Sequence, residues 1–327
     1  MGINLGRYRI EGSLFLAPMA GVTDAPFRRL CREFGADYAV GEMVASAAQL
    51  RKSRKTLARV KFFDDEAPRA VQLLGADPAA LKDAFYWACE AGAQVVDFNM
   101  GCPAKKVCNV ACGSALMKEE PLALEILSVL GEVSKECGVP VTLKCRTGWD
   151  EAHKNALTFA QTAQKAGFAM VTIHGRTRTG GFDSSVEYDT IAQVARTVAI
   201  PVVANGDITD ANRARAVLQY TGAAAVMIGR AALGHPWLFK EIKEALENGC
   251  VRATTQEEKV QAILRHWRWH FECYEEPVAV MTFRKHLLWY LTGWSGFETV
   301  RAQICQAGDA RTQGKLLQDY FAVQGWL

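Results

Sequence analysis

No stretch of this 327-residue sequence approaches the ~18 uninterrupted apolar residues that a membrane span requires, and the apolar run near its start is broken by Pro18. A myristoylation signal is also missing, because Gly6 stands where the motif needs Ser or Thr. A cytoplasmic protein is therefore expected. The ten cysteines are scattered, and in a reducing compartment the default for each is a free, often buried thiol, so no disulfide framework is expected. Three of them, Cys102, Cys108 and Cys112, crowd the stretch NMGCPAKKVCNVACGSAL. Their spacing lacks a fourth ligand and matches no ordinary zinc or iron–sulfur pattern, so no metal is expected. Acids are absent from RKSRKTLARVK, residues 51–61, which carries six Lys and Arg residues. That run has two readings, a solvated face or a surface for nucleic-acid phosphates.

What is present is regular. Half the residues are apolar, enough for a large core. From residue 14 to about 245, short apolar, β-branched runs alternate with helix-like segments: LFLAPM (14–19), YAVGEM (38–43), RAVQLL (69–74), VVDFNM (95–100), VTLKC (141–145), MVTIHG (170–175), PVVANG (201–206) and AVMIG (225–229). Asp24 and Asp77-Pro78 are helix-start signals between them. Continuous apolar strands alternating with helices imply a parallel sheet covered by helices, and eight units over some 230 residues imply an α/β fold of the (β/α)8 TIM-barrel type. Beyond residue 245 the strand runs stop and helical periodicity takes over. The expected organisation is a catalytic barrel over 1–245 and a small all-helical domain over 246–327.

In such barrels chemistry sits at the C-terminal ends of the strands. Those ends carry Pro18, Met19 and Ala20; Glu42 and Met43; Gln72; Asn99 and the Cys102 loop; Lys144 and Arg146; His174, Gly175 and Arg176; Asn205, Gly206 and Asp207; Gly229 and Arg230. Eight polar or small ends in phase are not a packing accident. ANGD and IGR set glycine backbone and Arg230 where barrels commonly bind a phosphate. Lys144 suits either a Schiff base or a fixed cation beside an anion, and spacing does not separate the two. A thiol with a reference pKa near 8.5 stays protonated at neutral pH, so Cys102 can serve as a nucleophile or a general acid.

The motifs LAPMAGVTDAPFRRL, DFNMGCPAKKV, GSALM, LKCRTGW, TIHGRTR, VVANGDIT, MIGRAALGHPWLF and FRKHLLWYL together resemble the bacterial tRNA-dihydrouridine synthases, with GCPAKKV most similar to the B-type subfamily. The resemblance implies an FMN-binding barrel joined to a helical tRNA-binding domain. It also implies NADPH as the reductant of the C5=C6 bond of D-loop uridines, at position 17 for a B-type enzyme. Carried over, Pro18, Met19, Ala20, Gln72, Lys144 and His174 meet the flavin, with Lys144 as a cation. Asn205, Gly206, Asp207, Gly229 and Arg230 hold its phosphate. Cys102 donates the proton to C5, while Asn99 and Arg146 orient the uracil. Lys105, Lys106, Arg284, Lys285 and His286 become candidates for tRNA phosphate, and no obligate protein partner is evident. Phe182 stands where many relatives have tyrosine, and Gly41 where B-type relatives have serine, both expected on the uridine side. A small-molecule flavin oxidoreductase on the same barrel and a non-catalytic RNA-binding protein are the competing readings. The helical domain and the 51–61 run argue against the first, and the intact Cys102, Lys144 and Arg230 against the second.

Overall fold

The computed structural model describes residues 2–64, 67–103, 112–181 and 184–327. Its centre is a closed barrel of eight parallel strands: β3 (Leu14–Leu16), β4 (Tyr38–Ala45), β5 (Ala70–Leu74), β6 (Val95–Met100), β7 (Val141–Arg146), β8 (Met170–His174), β9 (Val202–Asn205) and β10 (Ala225–Ile228). β10 pairs with β3 through Val226 and Leu14 to close the ring. All eight strand runs expected from the sequence are strands, and the barrel is the TIM type. The sequence reading did not anticipate β1 (Ile3–Leu5) and β2 (Tyr8–Ile10), an antiparallel hairpin whose Ile3, Leu5 and Ile10 are buried against the barrel's lower interior. Three-residue strands carry too short a pattern to read as a period.

Side chains alternate between the two faces of a strand, so each strand contributes one set to the interior and one to the helices outside. The lower interior is apolar and includes Phe15, Tyr38, Val40, Val95, Met170 and Val203. The outward set, including Leu14, Leu73, Phe98, Leu143 and Ile173, packs under the helices in a second, larger core. Two residues further along the inward phase the chemistry changes to Gln72, Asp97, Thr142 and Thr172, all buried. β4 reaches the mouth in phase only through an irregularity. Val40 pairs with Ala70 and Met43 with Gln72, so one extra residue is absorbed around Gly41.

The surrounding helices start where side chains can cap them. Asp24 accepts from the Phe27 amide at 3.1 Å and Asp77 from Ala80 at 3.0 Å, each followed by proline in the first turn. The last barrel helix, Leu238–Asn248, runs three residues past the expected boundary at 245 before Gly249 ends it at φ +71°. Thr255 and Glu258 then form a capping box for Gln256–Cys273. This helix, with Glu276–Leu291, Phe297–Gln306 and Ala310–Val323, builds a core around Ile263, Phe283, Leu287 and Phe321. Leu30 from the first barrel helix, Ala25–Glu33, and Trp237 belong to the same cluster, so the helical segment is packed onto the barrel. Among the described residues, no helix is long and apolar enough to cross a membrane.

Close helix contact outside the barrel rests on Gly131, in Glu120–Cys137. A Cβ there would lie 2.2 Å from the Ala166 carbonyl oxygen and 2.9 Å from its carbonyl carbon. Replacing a helix-interior glycine by alanine ordinarily stabilises by about 1 kcal/mol, whereas forcing packed elements apart costs ~1–3 kcal/mol. Because the obstructing atoms are backbone, Gly131→Ala is expected to lower stability by about 1–2 kcal/mol, seen as a lower denaturant midpoint at unchanged slope.

Candidate active site

The inward set converges on a cavity of about 900 Å³ at the C-terminal mouth of the barrel. Its lining includes Pro18, Met19, Ala20, Gln72, Asn99, Cys102, Lys144, Arg146, His174, Asn205, Gly206, Asp207, Gly229 and Arg230. The register explains the convergence: Gln72 lies opposite Asp97, Asn99 opposite Lys144, Arg146 opposite His174, and His174 opposite Asn205. Each element between the strands is long enough to return the chain, and the two-residue period does the rest.

Asp97 lies beneath the cavity, 2% exposed, and was not singled out in the sequence. It accepts from Gln72 Nε2 at 2.7 Å and from Thr142 Oγ1 at 2.5 Å. Burial raises its pKa to about 6, against the opposing pull of these two bonds and of the Lys144 charge. Because a carboxylate can only accept, the Gln72 amide must point its nitrogen at Asp97 and its oxygen away. That oxygen accepts from Asn99 Nδ2 at 2.8 Å, and Asn99 Oδ1 in turn accepts from the amides of Gly101 and Cys102, each at 3.0 Å. Ser114 binds the Cys102 carbonyl through its amide at 3.1 Å and its hydroxyl at 2.9 Å. Both amide side chains are thus engaged, and the backbone of Cys102 is held on both sides.

Lys144 extends from β7 and donates to Asn205 Oδ1 at 3.0 Å, while Asn205 Nδ2 binds the Met227 carbonyl at 2.7 Å. Burial lowers its pKa to about 8; the Asp97 charge resists the shift and Arg146 adds to it. Arg146, 1% exposed, donates to the carbonyls of Gly101, Thr177 and Gly181 at 2.9, 2.8 and 3.1 Å. It ties the loops after β6 and β8 together as well as lining the cavity.

His174 has its pKa lowered to about 2 by burial and by the surrounding cations, Lys144 foremost, so its ring is neutral. Arg176 Nη1 lies 3.3 Å from His174 Nε2, and a guanidinium can only donate, which leaves the ring proton on Nδ1. The same Arg176 grips Asp207 with two bonds, 3.1 and 2.6 Å, and Arg230 Nη2 adds a third at 3.0 Å. Asp207 was expected among the phosphate ligands. Its carboxylate is instead taken up by two guanidiniums, and repulsion would keep it from a phosphate in any case. Arg176 is among the polar strand ends, and its pairing with Asp207 in the loop after β9 shows what it holds. Gly206 sits at φ +127°, and its carbonyl is held by the Tyr188 hydroxyl at 2.6 Å.

Several expected contacts resolve differently. Phe182, Lys105, Lys106 and Cys108 lie outside the described residues. His286 is 1% exposed and so is removed as a phosphate contact. Arg284 is half-buried and donates to the Ala307 carbonyl at 2.9 Å, and Lys285 donates to the Gly21 carbonyl. Gly41 does not line the cavity. A Cβ there would meet the Ala70 carbonyl oxygen at 3.2 Å and Arg28 Nη1 at 3.3 Å, so the missing side chain makes room for a buried arginine rather than for the uridine side. In the 51–61 run, Arg51 is buried and paired with Asp83, and Arg59 pairs with Glu42 at 3.3 Å. Lys52, Arg54, Lys55 and Lys61 face solvent.

A second hollow, of about 610 Å³, lies where this basic segment meets the C-terminal helices, its wall holding Lys55, Lys61 and Lys285 together with Asp24, Glu42, His270 and Glu275.

Known proteins share this architecture and much of this sequence. An old yellow enzyme homologue from Zymomonas mobilis superposes with a TM-score of 0.51 at 13% identity, over 79% of this chain and 95% of that one, which is a likeness of fold. The tRNA-dihydrouridine synthase B of Pseudomonas aeruginosa is 45% identical over 98% of this chain and 96% of its own length. That of Escherichia coli K12 is 43% identical over 98% and 99%. The model of the dihydrouridine synthase (Dus) family matches residues 15–324. A match over nearly the whole chain, together with relatives at this identity, makes it a member of the dihydrouridine synthase family.

Proposed function

We propose that this enzyme reduces the C5=C6 bond of uridines in the D-loop of tRNA, at position 17, with FMN bound in the barrel mouth and NADPH as the reductant. The observation that carries the reading is the convergence of Cys102, Lys144, His174, Asn205, Gly206, Gly229 and Arg230 on one cavity. Its volume of about 900 Å³ suits a nucleotide-sized ligand together with an inserted base.

The donor set fits a flavin mononucleotide. Gly206 and Gly229 set backbone at the rim, and Arg176 and Arg230 both reach the carboxylate of Asp207, which gathers two guanidiniums where a phosphate would lie. Pro18, Met19 and Ala20 form one wall, and Gln72, with one amide hydrogen beyond its bond to Asp97, presents a polar edge for a heterocycle. Lys144 supplies a cation beside the ring, its ammonium held to Asn205 and balanced by Asp97. This favours the fixed-cation role over the Schiff base. The neutral His174 donates from Nδ1.

When bound, a flavin supplies the hydride for C6 of the uracil. The chain's own residues do the rest. Cys102 gives its thiol proton to C5, and the Asn99 and Ser114 contacts hold its backbone in place for that transfer. Asn99 and Arg146 line the space in which the uracil edge lies. A base inside folded tRNA must leave its stack to reach this depth, so the elbow needs a grip along its phosphates. Lys52 and Lys55 face solvent beside the second hollow, Arg54 and Lys61 reach it while bonded to Glu275 and the Cys273 carbonyl, and Lys105 and Lys106 are further candidates for phosphate contact. The C-terminal helices form the wall facing this basic segment, which supports a role for them in tRNA binding.

The decisive test is NADPH oxidation by FMN-loaded protein with tRNA from a strain lacking dihydrouridine, and mapping of the product. Turnover that depends on this tRNA and places dihydrouridine at position 17 is expected. Protein that stays colourless after FMN addition removes the flavin reading, and flavin reduction with no tRNA product leaves a small-molecule reductase. Cys102→Ala should keep flavin and tRNA binding and still be reduced by NADPH, while dihydrouridine formation falls by roughly 10²-fold or more. Full activity in that variant would falsify the proton-donor role. Lys144→Met, which removes the ammonium but little volume, should shift the potential of bound flavin to more negative values. An unchanged potential would show that the lysine only packs.

A further inference from the structure

Three of the chain's six histidines, His266, His270 and His286, meet one buried aspartate at the seam between the barrel and the C-terminal helices, away from the cavity described above. Asp24 caps the helix Ala25–Glu33 with one carboxylate oxygen, which accepts from the Phe27 amide, and its other oxygen faces the seam. His266 and His270, one turn apart on Gln256–Cys273, present their rings on the same side. Asp24 is 4% exposed, His266 0% and His270 1%. One ligand atom from each of the three lies within 4.8 Å of the others.

Each of the three histidines turns a ring nitrogen inward that makes no ordinary hydrogen bond. The Thr282 hydroxyl donates its only proton to the Val278 carbonyl at 2.7 Å, so it must accept from His270 Nε2, 2.8 Å away. His270 Nδ1 therefore faces inward, toward Asp24. That nitrogen lies 3.2 Å from Asp24 Oδ2, within ion-pair distance. His266 is anchored through Nδ1 to the Tyr290 hydroxyl at 2.9 Å, and its Nε2, fully buried, has no hydrogen-bond partner. His286 Nε2 is likewise unpartnered, and its ring centre stands 4.7 Å from that of His266. Asp24 and His270 border the second hollow, where the Tyr274 hydroxyl also reaches Asp24, and a carboxylate among inward-facing ring nitrogens is stable only with a proton or a cation between them.

We propose that Asp24, His266 and His270 form a binding site for a divalent transition-metal ion of the zinc class, bordered by His286 as a third imidazole. Two imidazoles and a carboxylate are a donor set that zinc accepts, and a tetrahedral ion with bonds of about 2.0–2.1 Å spaces its ligand atoms about 3.3 Å apart. The Asp24–His270 separation already has that value, and His266 closes the set with a shift of about an ångström or two. Tyr290 and Thr282 occupy the far nitrogens of the two ligating rings, as the hydrogen-bonding groups behind metal-bound histidines do. The ion would fasten the C-terminal helices to the segment Pro18–Asp24, whose first residues line the cavity. Its role is therefore structural.

The experiment uses the full-length protein, stripped with a chelator and titrated with Co²⁺ and then Zn²⁺. One equivalent of Co²⁺ should give the visible bands of a four-coordinate nitrogen and oxygen site without thiolate charge transfer, be displaced by one equivalent of Zn²⁺, and raise Tm. His270→Gln retains a donor for Thr282 but lacks the ligating nitrogen and should abolish these bands. The proposal is overturned if the intact protein binds no stoichiometric metal, if the spectrum shows thiolate ligation, or if His270→Gln binds unchanged. Should that variant not fold, the stoichiometry and spectrum of the intact protein decide on their own, with His266→Gln as the second substitution.

Discussion

A carboxylate sealed inside the barrel sets the polarity of everything above it. Asp97 can only accept hydrogen bonds, and burial makes each one count. From that single constraint follows the orientation of Gln72, from Gln72 that of Asn99, and from Asn99 the placement of the Gly101 and Cys102 amides. The same carboxylate offsets the charge of Lys144 on the neighbouring strand, which keeps an ammonium tolerable in a desolvated mouth. One buried acid therefore holds both the cation on one side of the site and the thiol loop on the other. Neither feature is a local property of its own strand.

The period of the strands converts this chemistry into a site. Because inward positions recur every second residue, apolar packing below and polar chemistry above occupy the same face of the same strands, separated by one step. The extra residue around Gly41 rephases β4, so Met43 faces the cavity while Glu42 accepts from the Gly21 amide at 2.6 Å and steadies the loop after β3. The mouth is built by alternation, with one irregularity where alternation would have failed.

Much of this was legible in the sequence, for identifiable reasons. Buried parallel strands are apolar runs bounded by Gly and Pro, so all eight could be placed. Their polar ends marked Cys102, Lys144, His174 and Arg230, each of which lines the cavity. What was not legible depends on partners distant in sequence. Asp97 looked like one acid in a strand until Gln72 and Thr142 were seen beside it. Arg176 reads as a rim cation, and only the fold shows that it claims Asp207. The acid-free run 51–61 divided once Asp83 and Glu42 were found against Arg51 and Arg59. Gly41 marked a departure from relatives, but its neighbour is a buried arginine outside the cavity. Composition reports which charges exist, whereas tertiary contact decides which are spent on holding the fold.

The hairpin at the N-terminus has a consequence for access to the site. Ile3, Leu5 and Ile10 stopper the lower end of the barrel, and the apolar layer above them fills its interior. A chamber closed below has one door. In the reading proposed above, the nicotinamide that delivers electrons and the uracil that receives them both approach through the mouth, because the apolar layer closes the way from below.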